Sequence, residues 1–166
     1  MGHRRVKHMD VYRINKEPYH TDPLSVIGSH RHGGRWNPKG IGILYTSRTP
    51  ELALLETLVH LPPLTLPELP QCWLSTIQLP DDLNKAIFWL SPDRLPVYWQ
   101  TGTLTETQTI LTDWLLAPFS LAIAVPSAII DTSYNLLLHP QHPAFAQVEV
   151  ISRRPLPLDG RLVKVV

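Results

Sequence analysis

Cysteine is almost missing from this chain. The one residue, Cys72, excludes an internal disulfide framework and fits a reducing compartment. At the head of an apolar run it reads as a small buried hydrophobe rather than a nucleophile. No apolar run is long enough to span a bilayer. The basic start MGHRRVKHMD leads into no hydrophobic stretch, so a cytoplasmic protein with neither secretory signal nor membrane association is expected. No internal repeat or low-complexity linker is present. The eight glycines never fall into G-x-G-x-x-G or G-x-x-x-x-G-K-[ST], the spacings that cradle phosphates. No G-x-S-x-G surrounds Ser133, which argues against a hydrolase elbow.

What is present describes one globular domain of 166 residues, 43% hydrophobic and 17% charged. Seventeen prolines argue for many loops and short helices. The net charge of +1 hides an asymmetry. Residues 1–50 hold nine Lys/Arg against three Asp/Glu, a balance of +6, and the remainder balances at −5. A locally basic segment suits an anionic ligand, such as a nucleotide, or equally a solvated face.

Hydrophobic period sets the elements. MDVYRI, residues 9–14, alternates as a strand, with Val11 and Arg13 on one face and Tyr12 and Ile14 on the other. Residues 15–40 read as a long irregular loop, a length that is usually functional or disordered. GILYT, 42–46, is a second short strand. In TPELALLETLVHLPP, Thr49 suits an N-cap, Pro50 the first helical position and Glu51 the N-terminal dipole, and Pro62-Pro63 stop the helix. LPPLTLPELPQ is an extended connector. Strands are expected over 72–79, 120–125 and 145–152, a second helix over 105–116, and a loop-like tail from RPLPLDGRLV. Strands mixed with a few helices in no regular alternation indicate α+β.

Few residues carry chemistry. His30 and His32, or His139 and His142, could pair on zinc, but neither pair has a third ligand in view, so no metal is expected. Glu56 sits mid-helix against Leu52 and Val59. It is either a carboxylate on a polar edge or a catalytic group lodged among apolar neighbours. Arg13, if partly buried in its strand, needs an anionic partner. SHRHGGRWNPKGIGILYTS, 29–47, sets cations and an aromatic beside two glycine turns.

Taken in order, VYRI, GGRWNPKGIGILYTS, ELALLETLVH, SYNLLLHPQHP and RPLPLDGRL resemble the RES-domain toxins over about residues 11–162. The resemblance implies a fold similar to ADP-ribosyltransferases, a mixed sheet core that binds NAD in a cleft. It implies the toxin half of a bacterial toxin–antitoxin pair that consumes NAD by hydrolysis or phosphorolysis of the nicotinamide–ribose bond. The alternative within enzymes is ADP-ribosyl transfer to a cellular protein. The implied partner is an antitoxin with a helix-turn-helix DNA-binding domain that inserts its C-terminal part over the active site, in assemblies that allow a homo-oligomer. The name-giving arginine, glutamate and serine match Arg13, Glu56 and Ser133, and Arg35 and Tyr45 match further site positions.

That chemistry suits the residue types. A carboxylate stabilises an oxocarbenium-like ribose, the role expected of Glu56. Arginine forks hold a pyrophosphate, which Arg35 and Arg13 would do with backbone N–H groups at Gly33-Gly34 and added charge from Lys39. Tyr45 would stack on nicotinamide. Ser133, with Asn135 in support, would orient Glu56 or a ribose hydroxyl. Trp36 and Asn37 are expected to pack and brace the loop. A non-enzymatic reading, a nucleic-acid module stacking bases on Trp36 and Tyr45, sits poorly with the acidic remainder and with Glu56. No direct nucleic-acid binding is therefore expected.

Overall fold

A computed structural model describes residues 8–62, 68–80 and 86–162. Its strands are β1 (Met9–Lys16), β2 (Leu44–Ser47), β3 (Cys72–Leu79), β4 (Ile87–Trp89), β5 (Ala122–Pro126), β6 (Tyr134–Leu138) and β7 (Glu149–Leu156). Its helices are α1 (Ile27–His32), α2 (Pro50–Val59), α3 (Leu104–Ile110) and α4 (Thr112–Leu116). The strands form one mixed sheet in the order β4-β5-β6-β2-β1-β3-β7. Only β4 and β5 run parallel. The fold is α+β, as the sequence indicates. Among the described residues no helix is long and apolar enough to cross a membrane.

The sheet has a seam. β1 and β3 pair at eight successive positions, but β1 meets β2 at a single one, Tyr12 opposite Ser47. On one side of the seam lie β4, β5, β6 and β2; on the other lie β1, β3 and β7.

Alternation gives each strand two faces. One face gathers Val11, Leu44, Ile77, Leu136 and Leu138 under Leu24, Val26 and Phe145. The opposite face buries Ile123, Val125 and Leu137 beneath Trp36, Trp99 and Trp114. Every residue of β5 is buried, because both of its faces are covered.

Several elements differ from expectation. The stretch 15–40 contains α1, which has no capping side chain and no buried residue, so it leaves no amphipathic signal. The helix expected over 105–116 breaks at Leu111 into α3 and α4. β4, three residues long, is too short to show a strand period. The last strand starts at Glu149, after a 3-10 turn over Pro143–Gln147 that His142 caps through Nδ1. It runs on through Pro155, which an edge strand tolerates. Residues 63–67 of the proline-rich connector lie outside the described residues.

Candidate active site

The site grows from α2. Thr49 Oγ1 accepts the Leu52 N–H at 3.2 Å and Pro50 takes the first helical position, so the helix starts where the sequence sets it. Leu52 and Ala53 are buried. Glu56 follows at i+4 and i+3 on the same side and points at the sheet.

Two side chains hold its carboxylate by one oxygen. Ser127 Oγ donates to Glu56 Oε1 at 2.8 Å and Asn135 Nδ2 donates to the same atom at 2.6 Å. Asn135 Oδ1 in turn accepts from Ser47 Oγ at 2.7 Å. Ser47 is the β2 residue at the seam, so the chain Ser47–Asn135–Glu56–Ser127 lies where the two sheet halves meet. Glu56 Oε2 makes no hydrogen bond among the described residues and stays open to solvent. One oxygen is fixed and the other is presented.

The serine on Glu56 is therefore Ser127, not Ser133. Ser127 is fully buried at the end of β5, and its Oγ also accepts the N–H groups of Ile129 and Ile130 at 3.1 and 3.4 Å. Ser133 contributes backbone instead: its carbonyl takes the Ser127 N–H at 2.8 Å and its N–H reaches Ile130 O at 3.0 Å. Ser127 follows an apolar strand and a proline, a setting with no polar pattern to mark it, whereas Ser133 stands in a polar run.

Tyr45 lies two residues before Ser47, on the same face of β2 and about 7 Å along the strand. Its hydroxyl donates to Asn37 Oδ1 at 2.6 Å and accepts the Trp36 N–H at 3.2 Å. Burial pushes the phenol up to about 12, against the Trp36 and Asn37 bonds and the Arg35 charge, so it is protonated at neutral pH. Asn37 is fully buried and donates to the carbonyls of Ser29, Pro38 and Ile41, the brace expected of it. A Cβ at Gly34 would stand 2.6 Å from the Tyr45 hydroxyl, so that glycine makes room for the tyrosine. Two residues of α3 that sequence reasoning missed clamp the loop from outside. Gln108 Nε2 donates to Gly34 O at 2.7 Å and Asn37 O at 3.1 Å, and Thr107 Oγ1 donates to Arg35 O.

The two arginines part company. Arg35 Nη1 donates to Trp99 O at 2.9 Å and its guanidinium carbon lies 5.9 Å from the Trp99 ring centroid, beside Tyr45. Arg13 stands one position beyond the seam residue Tyr12, so it projects from the other face of the sheet. There its Nη1 donates to Pro23 O at 2.8 Å and Ser25 O at 3.0 Å. Burial lowers its pKa to about 10, with Asp22 opposing. The structure thus brings Glu56, Asn135, Tyr45, Arg35 and Gly34 to one side and does not bring Arg13 to them. Lys39 is exposed beside Gly40. Among the described residues no three metal-ligating side chains converge. His139 Nε2 donates to Leu115 O at 3.1 Å, and its Nδ1 accepts the Gln141 N–H at 3.2 Å.

Residues 10–159 match the family model described as the RES domain. A protein of Yersinia enterocolitica serotype O:8 / biotype 1B named Toxin Res is 36% identical over 149 residues, 89% of this chain and 94% of its own. One from Sphingobium sp. strain YBL2, named Prs ADP-ribosylating toxin, is 31% identical over 147 residues, 88% and 90% of the two chains. A chain in the crystal structure of the M. tuberculosis MbcT–MbcA toxin–antitoxin complex superposes with a TM-score of 0.66 at 20% identity, covering 90% of this chain and 85% of that one. That likeness shows the fold.

Proposed function

The chain belongs to the RES-domain family, and from that premise we propose that it is the toxin of a toxin–antitoxin pair and breaks the nicotinamide–ribose bond of NAD. The observation that carries the reading is the clamp on Glu56: among the described residues, two donors on Oε1 and none on Oε2. As nicotinamide leaves with the bonding electron pair, positive charge grows on the ribose. A carboxylate already oriented needs no reorganisation to meet it. Oε2 is the oxygen that faces the ribose, and Ser127 and Asn135 hold its plane. Tyr45, protonated and pinned, offers its ring to nicotinamide. Arg35 offers the guanidinium nitrogens not engaged by Trp99 to the pyrophosphate. Water or phosphate then bonds to the ribose carbon.

A second reading, transfer of ADP-ribose to a protein, draws support from the relative whose name describes it as ADP-ribosylating. The reaction up to loss of nicotinamide is the same. A helix-turn-helix antitoxin is the partner this reading includes, in line with the toxin–antitoxin complex among the structural neighbours. The setting is the bacterial cytoplasm.

The test is nicotinamide release from NAD by the purified chain, with and without phosphate, and with lysate plus labelled NAD, alongside Glu56→Gln. Release in phosphate-free buffer identifies a hydrolase, release that needs phosphate a phosphorylase, and a labelled protein band a transferase. Glu56→Gln should lower release by about a hundredfold or more, roughly 2.7 kcal/mol of barrier. No release in any arm, or a variant equal to wild type, would sink the proposal.

A further inference from the structure

Away from Glu56 the surface carries a groove that none of this chemistry uses. A hollow of about 680 Å³ lies between α1, the end of α4 and the 139–141 turn. A second hollow of about 260 Å³ adjoins it and shares Ile41, Leu115 and Leu116 with it. The two form one continuous depression that runs from α1 past the end of α4 to α3. Its apolar contacts stand ready in solvent: Ile27 is 58% exposed and Leu116 70%. In a chain with other places to bury leucine, such exposure beside a concave surface marks an interaction site.

The charge of the groove has one sign. Its one fixed charge is the Arg31 guanidinium, His30 beside it adds a polar ring, and no Asp or Glu lines either hollow. Arg31 makes no ion pair or hydrogen bond among the described residues. The floor is closed to other chemistry, because both ring nitrogens of His139 are engaged by backbone. The wall is fixed as well: a Cβ at Gly42 would stand 2.8 Å from Val26 Cγ2. Neither hollow is lined by Glu56, Ser127, Asn135, Tyr45 or Arg35, although Gln108, which lines the second, holds the Gly34 and Asn37 carbonyls of the loop that carries Arg35.

We propose that this groove binds an extended segment of a partner protein that alternates carboxylates with apolar side chains. The carboxylates meet Arg31 and His30 at the rim, and the apolar side chains lie on Ile27, Ile41 and Leu116. Apolar floor and cationic rim together select against basic segments, since a like charge at the rim costs affinity. The inference stands apart from the NAD reading.

Fluorescence anisotropy with a fluorescein-labelled nonapeptide of alternating leucine and aspartate tests it, against the leucine–lysine counterpart. The leucine–aspartate peptide should bind saturably. Arg31→Glu should weaken it about tenfold or more, Leu116→Asp should weaken it at least as far, and Glu56→Gln should bind as wild type. Arg31 and Leu116 are exposed, so circular dichroism should show both variants folded. Equal binding of the two peptides overturns the proposal, as does unchanged affinity in both groove variants, or no saturation up to about 1 mM. Displacement by glutarate at concentrations matching the peptide overturns it too, since it would mark a site for a small dianion.

Discussion

The two sides of the seam are built differently. β5 is buried along its whole length, and Leu136, Leu137 and Leu138 of β6 are fully covered. β7 is exposed at seven of its eight positions. Ser127 and Asn135, which hold Glu56, Ser47 behind them and Tyr45 further along β2 all come from the buried half or its immediate end. The half that ends in β7 contributes a neighbour at the seam and holds Arg13 on its other face. A carboxylate that must not move is thus anchored where side chains have least freedom, while the three-stranded half holds the 19–25 segment.

That contrast can be broken at several points. Leu137→Ala, in the buried half, should cost about 3 kcal/mol in urea unfolding, the usual range for a leucine with no room to collapse; a loss below about 1 kcal/mol would mean the half is not close-packed. Asn135→Ala should lower nicotinamide release about a hundredfold, roughly 2.7 kcal/mol, with Ser133→Ala within about twofold of wild type. If Ser133→Ala proves the more damaging, Ser127 and Asn135 are not the residues that orient Glu56. Arg13→Met should release the 23–25 segment, and two hydrogen bonds from a charged donor set the scale at about 2 kcal/mol. Amide exchange should quicken over residues 19–26 and stay unchanged in β5 and β6; a rise in β5 as well would make the seam a poor boundary. Val150→Ala, in β7, should change stability by less than about 0.5 kcal/mol, and a larger loss would show that β7 is covered in solution.

Much of the site was legible because it rides on a helix. Thr49, Pro50 and the leucine spacing set α2, and α2 sets Glu56 on the side that meets the sheet. Tyr45 entered through the resemblance to the RES-domain toxins, and Asn135 as a polar neighbour supporting Ser133. Ser127 was not legible, because its role depends on β5 and β6 pairing so that Pro126 stands opposite Tyr134. The separation of Arg13 from Glu56 was equally hidden: alternation put Arg13 and Tyr12 on opposite faces, but only the register with Ser47 tells which face looks toward Glu56. β4 and α1 are short and weakly patterned, and tertiary packing rather than propensity makes them.

The single pairing at the seam also orders events in time. β2, β5 and β6 carry the Glu56 clamp, and all three precede β7 in the chain. β1 has to wait for β3, and β3 stays open on its outer side until the final strand has been made. Pairings between distant parts of a chain form late, and synthesis delivers the N-terminal parts first. A chain still being made therefore completes the scaffold around Glu56 before it completes the sheet, and the last strand to arrive is the one that closes the half holding Arg13.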